Sequence, residues 1–346
     1  MKKFKILSLD GGGIRGYLSA KILANMEKLL NEANQEDINI GQRFDLIVGT
    51  STGGIIACAL ARGKSGKEIL ELYDKLIPKV FKAKWEGIFS PKYDNNVLKK
   101  ELENVLEDKT LKDVITDLCI TSVDVENASP RFHKSGYFDR NSPKLDEKLV
   151  DIALATSAAP TYFPLINTKH SANLTDGGIV ANNPSLVGLI DAMQLNENKL
   201  ENIVLVSIGT GEQPCMPYEI NKLKNAGKQN WIVDIDDNTK IAKVINLIKK
   251  GESKIKIVKE ILKNFLCNDK KLFDSKGSPL IELLMESQSK LAHFQTQFLL
   301  GDNYMRINPE IKSSITLDDV SKLDSLKNVA DINKQQFEKL KNLLGG

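Results

Sequence analysis

The chain has 346 residues, 41% hydrophobic and 27% charged, with a net charge of +3. That length buries a large core as one big domain or two ordinary ones, and the near-neutral balance gives no support to a nucleic-acid polymer as partner. The longest apolar runs, such as Gly53–Ala61, are far too short to span a bilayer, and the charged start turns at glycine before a cleavable leader develops.

Phe4–Leu9 reads as a short β-rich run that ends at the glycines of "SLDGGGIRG" (Ser8–Gly16), and Tyr17–Leu30 as a helix with Leu18, Ile22, Met26, Leu29 and Leu30 on one face. Asp45–Val48 is a second buried strand, followed by Gly49–Gly54 and a nearly all-apolar helix through Leu60. Strand, tight turn and buried helix in that order point to a parallel α/β sheet. Ser65 with Glu68 makes a capping box for a helix over Gly66–Lys75. Further strands are expected at Leu118–Val125, Ile203–Ile208 and Tyr304–Ile307, with a polar terminal helix over Asp331–Leu344. Lys148–Ala155 is amphipathic and runs into "SAAPTYFP" (Ser157–Pro164), where Pro160 and Pro164 force a loop.

From about Glu212 the texture changes. Asn238–Lys271 holds ten lysines against three acidic residues, over apolar positions at helical spacing. It reads as two amphipathic helices whose lysines face water, or as a surface for lipid or an anionic ligand. With no repeat and no low-complexity linker, one continuous domain over 1–346 is expected, a motif-bearing core at 4–211 and a mostly helical part at 212–346. Cys58, Cys119, Cys215 and Cys267 form no CxxC pair and read as reduced and structural. His133, His170 and His293 lack ligand spacing, so no metal is expected, nor any required cofactor.

"GTSTGG" (Gly49–Gly54) fits G-x-S-x-G between a strand and a helix. The chemistry needs a sharp turn that lifts a serine hydroxyl above the sheet and aims the next helix's positive end at it, with Gly49 and Gly53 allowing the tight fold. Ser51 is the candidate nucleophile. Its base is either a histidine in the order usual for α/β-hydrolases, which selects His293, or Asp176 in "LTDGGIVANNP". His293 lies in an amphipathic helical stretch and His133 in strand-like "RFHKS", so both read as structural. The "DGG" at Asp176–Gly178 is by itself compatible with a plain turn.

"DGGGIRG", "GTSTGG" and "DGG" in that order, with "SAAPTYFP" and "ANNPS" (Ala181–Ser185), resemble the patatin-like phospholipases. The likeness runs from Phe4 to Gly211, with a weaker echo at "NYMRI" (Asn303–Ile307). It implies a mainly parallel central sheet covered by helices on both faces, and a Ser51–Asp176 dyad working without histidine. It also implies an oxyanion hole from Gly11, Gly12 and Gly13, with Gly16, Gly177 and Gly178 supporting the motifs. Asp10 is expected to brace the glycine loop, and Arg15 either to order that loop or to face a phosphate. The implied substrates are membrane phospholipids and related acyl esters.

Gly11–Gly16 also satisfies G-x-G-x-x-G, but Glu36 and Asp37 fall in polar loop sequence where a dinucleotide site needs an acid at a strand end. A catalytically idle binding or storage protein on the same fold is a further alternative, against which intact Ser51 and Asp176 argue. With its lysine-rich C-terminal third, the chain is similar to the effector phospholipases of bacterial anti-phage (CBASS) systems. That likeness implies a cyclic-nucleotide activator, a cytoplasmic protein making peripheral contact with the inner membrane, and a homo-oligomer as an open question. A constitutive housekeeping lysophospholipase or esterase is the other role.

Overall fold

The computed structural model describes residues 3–81, 91–197, 199–214, 278–329 and 332–345, with isolated positions between 223 and 256. The two helices expected over Asn238–Lys271 lie almost wholly outside these residues, as do Cys215 and Cys267.

The core strands are apolar on both faces, as parallel strands buried between helices must be. β1 (Phe4–Leu9) pairs in parallel with β2 (Leu46–Gly49) on one side and β6 (Ile203–Ile208) on the other. β7 (Tyr304–Ile307) extends the sheet in parallel beyond β6. On the opposite flank, β3 (Asp117–Asp124) is parallel to β2, and the antiparallel β4 (Ser129–Lys134) closes the edge.

Along β1 the side chains alternate. Leu7 and Leu9 enter a core built with α1 (Gly16–Asn34), α2 (Thr52–Ala61), α3 (Gly66–Val80) and α5 (Leu149–Thr156), the last reached after α4 (Asn95–Leu106). Ile6 enters a second core with α7 (Ser185–Leu195), which follows the single turn α6 (Gly178–Ala181), and with the end of α8 (Pro279–Leu300). The sheet is thus helix-covered on both faces, the expected α/β class. After the short α9 (Leu323–Lys327), α10 (Lys334–Leu344) returns to the first core through Leu340 and Leu344. The Ser65–Glu68 capping box starts α3 as read from sequence, and the helix runs on to Val80. Cys58 and Cys119 are buried, and burial pushes both thiols up to about 12, which makes them inert packing residues.

One local feature positions the chemistry. β4 takes the whole of one edge of β3, from Cys119 to Asp124. The other edge is shared: β2 pairs with its first half, Gly49 opposite Ile120, and the three-residue β5 (Leu174–Asp176) pairs antiparallel with its second half, Asp176 opposite Ser122. β2 and β5 therefore run toward each other and their C-terminal ends meet. Gly177 turns the chain away so close to β3 that a Cβ there would strike the Thr121 carbonyl oxygen at 2.5 Å. Gly177→Ala should therefore lift β5 from β3 and destabilise the fold by about 2 kcal/mol, the usual cost of overpacking, as a lower urea midpoint.

Candidate active site

Ser51 stands at the end of β2, in the turn into α2, with φ 53° and ψ −125°. A non-glycine residue holds such a conformation only where its surroundings fix it. Here the fixing is explicit: the Ser51 amide donates to Thr156 Oγ1 at 2.8 Å, and the Thr50 amide donates to the Leu9 carbonyl at 3.2 Å. The flanking glycines follow from close approach. A Cβ on Gly49 would lie 2.6 Å from the Gly53 carbonyl oxygen, and one on Gly53 would run into the carbonyls of Leu9 and Asp10.

At the convergence of β2 and β5, Ser51 Oγ donates to Asp176 Oδ2 at 2.7 Å. The other carboxylate oxygen accepts from the Gly178 amide at 2.6 Å. Both side chains are buried, and burial raises the Asp176 carboxyl to about 7 despite the bonds from Ser51 and Gly178. A carboxylate near 7 is a far better proton acceptor at neutral pH than an ordinary one near 3.9. The helix α2 begins directly after Ser51, so its positive end adds to the field at the hydroxyl.

The glycine loop between β1 and α1 lies against this pair. A Cβ on Gly11 would sit 3.1 Å from Ser51 Cβ, so only glycine allows the approach. The Gly11 amide donates to the Asn182 carbonyl at 2.9 Å and thus ties the loop to the end of α6. Gly11 is a brace here, which departs from its expected role as an oxyanion donor. Among the described residues, the amides of Gly12 and Gly13 have no protein acceptor, and Gly13 sits at φ 58°. Arg15 turns inward, its Nε donating to the Gly12 carbonyl at 3.4 Å, so it orders the loop from behind. Gly16 lets α1 start against Thr52, into whose side chain a Cβ would drive.

Asp10 is held by a partner that sequence reasoning did not assign. Arg306 on β7 reaches it with Nη2 to Oδ2 at 2.6 Å and Nη1 to Oδ1 at 3.3 Å, and Ser289 on α8 donates to Oδ2 at 3.1 Å. Burial pushes the Asp10 carboxyl up while Arg306 pulls it down. Arg306 is in "NYMRI", Asn182 in "ANNPS" and Thr156 beside "SAAPTYFP", so each lay within or next to a quoted motif.

Neither weighed histidine reaches Ser51. His133 is buried between Ser122 Oγ at 2.9 Å and Glu147 Oε2 at 2.8 Å. His293 bonds Tyr304 at 3.0 Å on the other side of the sheet. Among the described residues no cluster of three or more His, Cys, Asp or Glu forms a metal site.

In front of the dyad lies a narrow cleft, floored by Ser51 and Asp176 and walled by Ile55, Leu76, Ile77, Phe81, Tyr162 and Phe163. Its wall is almost wholly apolar, suited to an acyl chain rather than to a sugar or nucleotide. Tyr73 closes the far side and steadies the elbow by donating to the Thr52 carbonyl at 2.9 Å.

The family model for patatin-like phospholipases matches residues 7–187. Patatin-like protein 4 of Arabidopsis thaliana is 30% identical over 94% of this chain and 82% of its own length. Proteins called cGAMP-activated phospholipase are 35% identical in two bacteria: in Escherichia coli over 60% of this chain and 62% of that protein, in Vibrio cholerae over 66% and 69%.

Removing Arg306 leaves the Asp10 charge buried and unpaired. Arg306→Met should cost about 3–5 kcal/mol in urea unfolding, and adding Asp10→Asn should restore part of it.

Proposed function

Because the chain belongs to the patatin-like phospholipase family, we propose that it hydrolyses acyl esters of membrane phospholipids through an acyl-enzyme on Ser51. The observation that carries the reading is the 2.7 Å bond from a strained, elbow-mounted serine to a carboxylate raised to about 7, at the floor of an apolar cleft.

The steps follow from these positions. Ser51 Oγ attacks the ester carbonyl carbon while Asp176 takes the hydroxyl proton. The carbonyl oxygen becomes an oxyanion, for which the amides of Gly12 and Gly13 are the free donors of the loop. The intermediate collapses, the lysophospholipid leaves as an alcohol with the proton from Asp176, and the acyl group stays on Ser51. Water then attacks the acyl-enzyme with Asp176 again as base, releasing fatty acid and restoring the serine. The dyad and loop supply base, nucleophile and anion stabilisation, and the scheme calls on no metal or cofactor.

For its biological role, we extend to this chain the cyclic-nucleotide activation that the names of the two bacterial relatives carry, together with the anti-phage setting that its sequence resemblance implies. It is an anti-phage effector that a cyclic nucleotide switches on, cytoplasmic and acting at the inner membrane surface. Arg306, which grips Asp10, also lines a polar cleft with Lys290, His293 and Lys339 and with the acids Glu212 and Glu286. An anion entering there meets the residue that holds the glycine loop. Vesicle hydrolysis assayed with and without cyclic di- and trinucleotides tests this role: a rate that no nucleotide changes identifies a constitutive lipase instead.

Ser51→Ala should abolish fatty-acid release from phospholipid vesicles, read by free-fatty-acid assay; undiminished release rules out this nucleophile. Asp176 acts only when ionised, so kcat/KM should fall about tenfold per pH unit below its carboxyl's value of about 7 and level off above it. The same group opposes folding when charged. Its native value lies above the unfolded 3.8, so the native state is favoured by protonation and loses stability as pH rises through about 7. Asp176→Asn should therefore be inactive yet more stable above neutral pH, by up to ~4 kcal/mol, seen as a higher Tm whose gain fades toward acid pH.

A further inference from the structure

The long helix α8 is built inside out. Its buried face carries Ser289, Ala292 and Thr296, while Leu280, Leu284, Leu291, Phe294 and Phe298 form an outward line, with Phe294 68% and Phe298 81% exposed. Single exposed apolar residues need no explanation, but a line of them along about 27 Å of helix, interrupted only at Ser287, does. Within its own length the helix could have been amphipathic in the ordinary sense by exchanging these two faces.

Two observations indicate what covers the stripe. First, it starts at the catalytic cleft. Ile281 and Met285, one side of the same first turns, pack against Tyr162 and Leu317, which line that cleft beside Ser51 and Asp176. Stripe and cleft therefore share a rim. Second, its flanks do not suit a second copy of the helix. The spacing of 280, 284, 287, 291, 294 and 298 is that of a coiled-coil seam, whose partners are chosen by complementary charges at the flanking positions. Here those positions are Ile281, Gln288 and Gln295 on one side and Leu283, Lys290 and Gln297 on the other. They hold one cation, Lys290, which pairs with Glu286 of the same helix at 3.7 Å, so two copies have no opposite charges left to pair. Leucine and phenylalanine bordered by amides instead match the acyl boundary and polar head groups of a bilayer.

From this stripe, its continuity with the cleft and flanks that offer a second copy no charge pair, we infer that α8 is a membrane-docking helix, lying in the plane of a lipid surface and bringing the cleft mouth onto its substrate. The inference rests on the membrane-phospholipid reading above. It adds the surface by which the protein reaches the membrane and the face it turns toward it.

The test uses the full chain and the triple variant Leu291→Gln/Phe294→Gln/Phe298→Gln, whose sites are exposed and remote from the dyad. Both are floated with vesicles of phosphatidylcholine and phosphatidylglycerol and assayed on those vesicles and on a soluble short-chain ester. The wild type should float with the vesicles and the triple variant should not. Vesicle hydrolysis should fall roughly tenfold or more while soluble-ester hydrolysis stays within about twofold, the mark of lost interfacial binding at an intact site. A second variant, Phe298→Glu, at the most exposed position of the stripe, should weaken flotation on anionic vesicles and leave the soluble-ester rate unchanged. Flotation of the triple variant equal to wild type overturns the inference. So does a loss of oligomer mass by light scattering in that variant with vesicle binding unchanged, which assigns the stripe to a second copy. Flotation is also run on Ser51→Ala, so that an inert wild-type preparation counts against the hydrolase reading and not against the docking helix.

Discussion

The site depends on one edge of β3. Eight residues long, that strand has room along a single edge for the whole of β2 and the whole of β5, and their opposed directions bring Ser51 and Asp176 together. The 2.7 Å bond between them is thus a consequence of strand register, fixed by backbone ladders before any side chain is considered. A slip by one residue would turn Asp176 to the other face of the sheet and leave the serine without a base.

The rest of the machinery is stabilised against its own local costs. Ser51 holds an unfavourable backbone conformation, Asp176 a carboxylate with almost no water, and Asp10 a second buried acid. Each is offset from a different part of the chain: Thr156 and the β1 carbonyls hold the elbow, the Gly178 amide holds Asp176, and Arg306 holds Asp10. Glycine appears where backbones must touch, as at Gly53 against β1 and Gly177 against β3. Stability is given up at the dyad and recovered in two large apolar cores, the usual division between an active site and its scaffold.

How much of this was legible in the sequence follows from the range of each interaction. Strands such as Phe4–Leu9 and Ile203–Ile208 were readable because continuous apolar runs ending at glycine are a local signal. Ser51 was readable because an elbow is six residues long. Asp176 needed the combination of motifs, since β5 has only three residues and its pairing with β3 spans more than fifty positions of sequence. Arg306 lies 296 residues from Asp10, and no periodicity joins them. The reassignment of Gly11 has the same origin: its amide's partner, Asn182, is distant in sequence, so which loop amides stay free is settled only in three dimensions. The outward stripe of α8 was not legible for a different reason: helical spacing shows which residues share a face and not which face is buried.

The central claim, that Ser51 is the nucleophile and Asp176 its base, is tested most directly by covalent labelling. Incubation with a lipid fluorophosphonate, followed by peptide mass spectrometry, should place one adduct on the Ser51 peptide of the wild type. Ser51→Ala should give none, and Asp176→Asn should label far more slowly. An adduct on another residue, or equal labelling rates for wild type and Asp176→Asn, would contradict the account.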